Sequence, residues 1–323
     1  MSAPSRVAPH LLFPLVVTAM IVYALASPAL DFARALGAPE AVNAALRLAS
    51  AILLFYTAIA VLERAFPYRR EWNRSHGDVL TDALHLVFTG QGAQGLFFAL
   101  AAGPLIALST RVSAAAGAPL WPTEAPLFLQ LALALVLGEL GHYLFHRLSH
   151  ESTWVWRLHA AHHSAPRLYW LNATRFHVLD LFLLISFESL PLALMGAGQV
   201  VLGPYFVVRA VYGQVQHCNV DMRTPPWIDW LWSSPGVHRW HHSMLSREAN
   251  HNYGAVLNVW DHVFRSFSRP TSAFAGPVGI GELPRFPRSY LGQQLAPFRW
   301  STFAGGRSAP GAADGSGTAA GSP

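Results

Sequence analysis

The sequence predicts an all-α, polytopic membrane protein with four to six membrane helices and a helical cap on the cytoplasmic side. Of its 323 residues, 52% are hydrophobic and 12% are charged, whereas an ordinary soluble domain carries about 25% charged residues. The mean hydropathy is +0.30, and the apolar residues form several stretches long enough to cross a bilayer. The chain also contains 16 histidines beside 17 Asp and Glu residues, although burial in a membrane requires none of them.

The composition excludes several functional classes. Low charge and high hydrophobicity exclude an intrinsically disordered chain. The formal net charge is +5, but every basic residue is Arg and the longest basic run is Arg69-Arg70, so nucleic acid is not an expected partner. A single cysteine, Cys218, excludes a disulfide framework, Cys-ligated zinc and iron–sulfur clusters within the chain.

Five apolar stretches define the predicted membrane segments. They cover residues 11–30, 44–62, 79–109, 127–145 and 178–208. A signal peptide is an alternative for the first stretch, because residues 24–26 resemble a cleavage site. The third stretch is either one long helix or a hairpin broken at its glycines. The fifth is predicted to be a helical hairpin, because Pro191 and the glycines at 196 and 198 interrupt it.

Arginines orient these segments in the membrane. Arg64, Arg69, Arg70 and Arg74 follow the second apolar stretch, and the positive-inside rule places them in the cytoplasm. Counting segments out and back returns residues 146–177 and 213–267 to the same side. The sequence therefore predicts that widely separated histidines meet beside the cytoplasmic leaflet.

The histidines form three clusters at helical spacing. In the first cluster they follow one another at four-residue intervals, and the second and third clusters repeat the pattern His-x-x-His-His. The clusters are His142, His146 and His150; His159, His162 and His163; and His238, His241 and His242. At these spacings the imidazoles of each cluster share one face of a helix. Protonated together they would repel one another, whereas a metal ion favours neutral imidazoles at short range, so the clusters predict a metal site.

The number of histidines indicates more than one ion. Structural zinc takes four ligands and catalytic zinc three, so eight or more imidazoles overfill one ion and fit a two-metal site. The ligand type leaves the metal open, because zinc, copper, iron and nickel all accept imidazole. Acidic residues near the clusters would hold the imidazoles from behind, and the candidates are Glu139, Glu151, Asp180 and Asp261.

Some histidines lie outside these clusters. His10, His76 and His251 are isolated, and we expect structural or solvated roles for them. His85 lies in an apolar stretch one helical turn from Asp82, which favours a buried Asp–His pair.

Over about residues 135–268 the chain resembles the fatty acid hydroxylase superfamily, also called the sterol desaturase family, including its bacterial members. The motifs that carry the resemblance are Glu139…Tyr143…His146-Arg147…His150, Trp156…His159…His162-His163-Ser164, Asn172…Arg175-Phe176-His177, Gln216-His217-Cys218-Asn219, His238-Arg239-Trp240-His241-His242-Ser243, Asn252-Tyr253-Gly254 and Trp260-Asp261. Members of this family are integral membrane non-haem di-iron oxygenases that hydroxylate or desaturate lipid-like substrates with O₂ and reducing equivalents.

The resemblance implies a set of site residues. The implied iron ligands are His146, His150, His159, His162, His163, His217, His238, His241 and His242. Additional candidate ligands or supporting residues within the family motifs are His177, Glu139, Asn219 and Asp261. Two further candidates are His142, which is extra to the family pattern, and Glu151, which lies next to His150. The chain departs from the family pattern at Glu139, where Asp is usual, at Val178, where Pro is usual, and at His262, where Arg is usual.

The resemblance also implies an activity and a setting. The expected activity is O₂-dependent hydroxylation or desaturation of a lipid, with two non-haem iron ions, in a multi-pass protein of the bacterial inner membrane. Because the sequence carries no flavin or dinucleotide fingerprint, we expect a ferredoxin or similar external electron donor. A redox-neutral or cleavage reaction on an ether or aldehyde would use the same ligands, and a metal transporter is a further alternative.

The sequence predicts four parts of the chain. Residues 1–125 are expected to form N-terminal membrane helices, and residues 126–268 a fatty acid hydroxylase-like catalytic domain. Residues 269–303 follow as a C-terminal extension, and residues 304–323, rich in Gly, Ala, Ser and Pro, are expected to be a disordered tail.

Overall fold

The computed structural model describes residues 8–27, 37, 39–118 and 120–304. Within these ranges the regular structure is helical, and extended segments pair only at three isolated β-bridges, Pro67 with Val220, Trp232 with Leu257 and Ser243 with Val278. The all-α class predicted from the sequence is therefore confirmed. The expected disordered tail, apart from its first residue, lies outside the described residues.

Thirteen α-helices are described, and five of them are long and apolar enough to cross a membrane, within the expected four to six. In chain order the first seven are α1 (Ala8–Ala26), α2 (Glu40–Ala65), α3 (Val79–Ala116), α4 (Leu127–Glu151), α5 (Thr153–His163), α6 (Val178–Met195) and α7 (Gln199–His217). The remaining short helices are α8 (Pro226–Leu231), α9 (Pro235–His241), α10 (Ser246–Ala249), α11 (Val259–Val263), α12 (Tyr290–Leu295) and α13 (Ser301–Ala304). The candidate membrane helices are α1, α2, α3, α4 and α6.

Helix α3 is continuous and not a hairpin. It runs for 38 residues through its glycines and contains two π-helical stretches, His85–Thr89 and Phe97–Ala102. At 1.5 Å per residue its length is about 57 Å, well beyond the roughly 30 Å of bilayer hydrocarbon. Its first turns therefore extend into the cap.

Helices α6 and α7 form the hairpin that the sequence predicts. The chain reverses at Gly196, whose φ of 76° and ψ of 32° lie in the left-handed region that favours glycine. Pro191, which was also expected to interrupt the segment, lies inside α6 and does not end the helix. The hairpin brings the start of α6 and the end of α7 back to the same end of the molecule.

Two glycines allow α4 to lie directly against this hairpin. A Cβ atom at Gly141 would overlap the backbone oxygen of Phe187, and one at Gly138 would overlap the hydroxyl of Tyr205. Close contact at these two points sets the depth of α4 and therefore the position of the histidines in its last turns.

Apart from the α6–α7 hairpin, the segments after α4 form a cap over one end of these helices. Ser152 begins α5 by accepting a hydrogen bond from the backbone N–H of Val155, and Ser234 begins α9 in the same way. Asn219 joins the cap to the end of α2: its side chain accepts from the backbone N–H of Arg69 and donates to the Arg69 backbone oxygen. The cap is therefore hydrogen-bonded to the membrane helices on which it rests.

The expected pair of Asp82 with His85 is wrong. Asp82 instead binds the guanidinium of Arg175 at 2.5 Å and accepts a hydrogen bond from Tyr169 at 2.8 Å. The His85 ring lies within hydrogen-bond distance of Thr89 and Gln293. A charged guanidinium stabilises a buried carboxylate more than a neutral imidazole does. The fold places the guanidinium of Arg175 beside Asp82.

Candidate metal centre

Nine buried histidines form two groups whose ring nitrogens face one another. In each group the candidate ligand atoms lie within 4.8 Å of one another. The first group contains His146, His150, His159, His163 and His241, and the second contains His162, His217, His238 and His242. These nine residues are the ligand set that the family resemblance implies.

Four helices supply the two groups. The last two turns of α4 carry His146 and His150, α5 ends in three of the histidines, α7 ends at His217, and α9 and the residue after it carry the last three. The groups adjoin, because the rings of His163 and His242 stack with centroids 4.4 Å apart. Histidines far apart in sequence therefore form one continuous cluster.

The ring nitrogens of the first group are oriented and protonated so that they can bind a metal ion. His146 donates through Nδ1 to the backbone oxygen of Tyr253 at 2.7 Å, and His241 donates in the same way to that of His251 at 2.8 Å. A carbonyl oxygen accepts only, so the proton lies on Nδ1 and the Nε2 lone pair is free. In all five histidines Nε2 is buried without a hydrogen-bond partner. Buried nitrogens without a partner are costly unless an ion binds them, so these residues fit a metal.

The second group is arranged similarly. His217 Nδ1 lies 3.1 Å from the side-chain oxygen of Asn172, and His162 Nδ1 lies 3.3 Å from the backbone oxygen of Arg175. The Nε2 atoms of His238 and His242 lie 3.1 Å apart, and Nδ1 of His238 is buried without a partner. The second group therefore also offers nitrogens that an ion would satisfy.

Burial keeps the cap histidines in their metal-binding form. Burial lowers the pKa of His241 to about 3, and nearby imidazoles contribute. Burial, with the neighbouring imidazoles, also holds the pKa of His162, His163 and His242 well below its usual range. These rings are therefore neutral at physiological pH and need not release a proton before a metal binds.

Of the acidic candidates, Asp180 is the one that contacts a histidine of the two groups. Its carboxylate accepts a hydrogen bond from Nδ1 of His159 at 2.9 Å, and both side chains are buried. Glu151 is exposed and pairs with Arg147 on the surface, where it contacts neither group.

Glu139 and Asp261 act on the backbone. The Glu139 carboxylate accepts from the N–H groups of Ala255, Val256 and Leu257, and Asp261 accepts from those of Tyr253 and Gly254. The loop 253–257 is thus held by two buried carboxylates, and it supplies the carbonyl that positions His146. Their role is to fix this loop.

Three further histidines that the sequence analysis singled out also lie outside both groups. His142 Nδ1 accepts a hydrogen bond from Arg209 at 2.8 Å, and its ring packs on that of His146. His177 caps α6 and contacts the backbone oxygen of Gln294, so both of its nitrogens have partners. His262 stacks on Trp230 at the surface.

Sequence reasoning missed several groups that position the ligands: one side-chain oxygen and several backbone oxygens. Asn250 lies 3.1 Å from Nδ1 of His150, and the backbone oxygens of Tyr253 and His251 accept from other ligands. A backbone oxygen leaves no pattern in the sequence. Asn172 and Arg175 belong to the recognised motifs, but their spacing does not reveal which atoms contact histidines.

A cavity of about 900 Å³ extends from the histidines between the membrane helices. Its inner end is lined by His146, His159, His162, His217 and His238, and its outer part by apolar side chains such as Phe98 and Ile106. Those two side chains are exposed on the membrane helix α3. The cavity therefore connects the metal centre with the lipid-facing surface.

Comparison with known proteins matches this chain to hydroxylases. The sequence pattern of the fatty acid hydroxylase family matches residues 131–266. Ornithine lipid hydroxylase OlsE of Rhizobium tropici is 37% identical over 245 residues, which are 74% of this chain and 72% of that protein. No solved structure shows a significant match.

More distant relatives match over the histidine-rich region. Human alkylglycerol monooxygenase is 31% identical over 129 residues, 40% of this chain and 28% of that protein. Very-long-chain aldehyde decarbonylase GL1-7 of Oryza sativa subsp. japonica is 27% identical over 161 residues, 46% of this chain and 24% of that protein. The chain spans about a quarter of the length of these two relatives.

Proposed function

The chain belongs to the fatty acid hydroxylase family and is an oxygen-dependent hydroxylase, and we propose that it hydroxylates a C–H bond of a membrane lipid. In this proposal the nine histidines hold two iron ions. The observation that carries the proposal is the cluster of buried, partner-free imidazole nitrogens at the inner end of an apolar cavity. Iron bound there would supply the activation of O₂ that an unreactive C–H bond requires.

The protein's own groups provide the conditions for this chemistry. Asp180 and the backbone carbonyls orient the imidazoles, and Glu139 and Asp261 hold the loop that carries one of those carbonyls. The apolar wall excludes water from the reacting carbon, which protects a strong oxidant from side reactions. The opening between membrane helices lets a lipid reach the histidines without leaving the bilayer.

The electrons come, in this proposal, from a separate protein such as a ferredoxin. The sequence has no flavin or dinucleotide fingerprint. Reconstitution with candidate donors would test this, and turnover with O₂ in the absence of any added reductant would contradict it.

Isotope labelling tests the reaction. The protein and its His162→Ala variant would be expressed under ¹⁸O₂, and the membrane lipids compared by mass spectrometry. We expect about two irons per purified chain and a lipid that gains one ¹⁸O atom only with the unaltered protein. A shortened or cleaved product would instead favour the cleavage reaction. The match to an aldehyde decarbonylase is the reason to test for such a product. Absence of iron together with absence of any new lipid would contradict the proposal.

We place the cap in the cytoplasm, in a bacterial inner membrane, because Arg69 and Arg70 follow α2 at the cap end. Thiol labelling tests this placement, since the single natural cysteine, Cys218, is fully buried. A cysteine at exposed Ser75, beside the cap, should react only in inverted membranes. A cysteine at exposed Ala115, at the other end of α3, should react in intact cells. The reverse pattern would put the metal centre outside.

A further inference from the structure

The cavity carries no unpaired charge among the described residues that line it. Apart from histidines, its charged lining residues are Glu188 and Arg209. They bind each other through two hydrogen bonds of 2.7 and 2.8 Å, and Arg209 also donates to His142. Away from the histidines, a phosphate or carboxylate in the cavity would find no unpaired side-chain cation. The part of the substrate that lies along this length is therefore neutral.

Three glutamines in the cavity wall have side-chain amides without partners. Gln91 and Gln94 lie on α3, and Gln214 lies on α7 one turn before His217. None of these three amides hydrogen-bonds to the described part of the chain; Gln214 is only 3% exposed, whereas Gln91 and Gln94 are exposed on the membrane helix α3. An amide in an apolar setting is unfavourable unless a partner satisfies it. A ligand that enters the cavity can be that partner.

The part of α3 that carries Gln91 and Gln94 begins beside the metal centre. They follow Thr89, whose hydroxyl donates to the backbone oxygen of Phe176, and the ring of Phe176 stacks on His162 with centroids 4.2 Å apart. The α-helical turn that carries both glutamines lies between the two π-helical stretches of α3. π-Helical turns inside α-helices are frequent at functional sites.

Beyond the glutamines the wall of the cavity is apolar. The lining residues of α3 continue through Phe97, Phe98, Leu105 and Ile106 to Ser109. At 1.5 Å per residue, the distance from Gln94 to Ser109 is about 22 Å, which suits a long acyl chain. The groove thus has a polar end beside the metal centre and an apolar length beyond it.

Building on the proposed function, we propose that Gln91, Gln94 and Gln214 bind an amide group of the substrate, an acyl lipid whose chain extends along α3. A carboxamide side chain both donates and accepts hydrogen bonds. A secondary amide in the ligand satisfies both roles, whereas an ester, which has no N–H, satisfies only the donors. The protein therefore selects amide-linked over ester-linked acyl chains.

Two probes that differ only at this linkage test the selection. N-Palmitoylethanolamine and its ester counterpart, 2-hydroxyethyl palmitate, would be bound as radiolabelled lipids to the purified full chain in lipid nanodiscs. We expect about tenfold tighter binding of the amide by the unaltered protein, the effect of one added hydrogen bond. Equal affinity for the two probes in the unaltered protein would overturn the proposal without any variant.

Matched variants locate the selection. Replacing both Gln91 and Gln94 by Leu, or Gln214 by Leu, should remove most of the tenfold preference, because amide binding loses both kinds of hydrogen bond and ester binding loses only the bond to its carbonyl oxygen. Gln199 lines the same cavity at the hairpin turn, about 27 Å along α7 from His217, so Gln199→Leu should keep the preference. Loss of the preference in Gln199→Leu alone, or its retention in the other variants, would refute the assignment.

The proposed function is checked separately in the same preparations. Metal content and ¹⁸O incorporation by the unaltered protein report on the oxygenase activity, whereas the binding of the two lipids does not require turnover. An amide preference without oxygenase activity would refute the proposed function and support the glutamine site, and the reverse result would do the opposite.

Discussion

The imidazole of His159 donates a hydrogen bond of 2.9 Å to the buried carboxylate of Asp180. This bond fixes the proton on Nδ1 and leaves Nε2 for a metal, and a carboxylate behind a ligating imidazole raises its basicity. We predict that Asp180→Ala lowers metal affinity by about 10- to 100-fold, the usual cost of losing such a partner. Chelator competition on the purified protein measures it. Unchanged metal affinity would show that the pair has only a structural role.

His162 and His241 test the ligand set, one from each group. Replacing either by Ala removes one metal–nitrogen bond, so we expect loss of bound iron and of turnover together. Iron content by atomic absorption and product by mass spectrometry measure both effects. His10, exposed on α1, is the control, and His10→Ala should retain both properties. Full iron content and activity in His162→Ala or His241→Ala would contradict the assignment.

The buried ion pair of Asp82 with Arg175 tests the anchoring of α3 to the cap. Asp82→Ala would leave a buried guanidinium without its partner, which typically costs about 3–5 kcal/mol of folding stability. We expect a marked fall in the melting temperature in detergent. Glu151→Ala removes an exposed ion pair with Arg147, worth at most about 1 kcal/mol, and serves as the control. Equal effects would indicate that the Asp82 pair is not buried.

Asp78 gives a pH-dependent prediction. Burial raises its pKa, but the hydrogen bonds and charge of Arg167 outweigh burial and leave the pKa of Asp78 below its usual value. The stability from this pair is therefore complete above about pH 4 and lost as the pH falls through the lowered pKa. Asp78→Asn should be less stable at neutral pH, and the difference from the unaltered protein should shrink below about pH 4. A constant difference across the pH range would contradict this.

Gly141 tests the contact of α4 with α6. A Cβ there would overlap the backbone oxygen of Phe187, so Gly141→Ala must push the helices apart, at about 1–3 kcal/mol. Because α4 carries His146, we expect lower iron content as well as a lower melting temperature. Gly203→Ala is the control, since nothing lies within 4 Å of its added Cβ. An unaffected Gly141→Ala would show that the contact is not tight.

The sequence predicted the larger features because each has a periodic or compositional signal. Apolar stretches gave the membrane helices, and the glycines at 196 and 198 gave the hairpin. The spacing of His159, His162 and His163 predicted that they lie together, because one helix is enough to place them on the same face. His217 has no such spacing, and the family resemblance was needed to include it.

The remaining features depend on contacts between distant segments. Helical spacing suggested that Asp82 pairs with His85, but Arg175, 93 residues later, occupies that carboxylate. Glu139 was expected to support an imidazole, yet it binds the backbone N–H groups of residues 255–257. Only the packed fold determines which distant donor reaches a carboxylate.

The contact of Glu139 with residues 255–257 has a consequence for biosynthesis. The carboxylate lies in a membrane helix, and its backbone donors follow it by 116 to 118 residues. When α4 enters the bilayer, these donors have not been translated, and neither has the segment that carries His238, His241 and His242. The nascent chain must therefore wait with an unsatisfied acid in the membrane until its last third leaves the ribosome. The nine-histidine cluster can be completed only after that point.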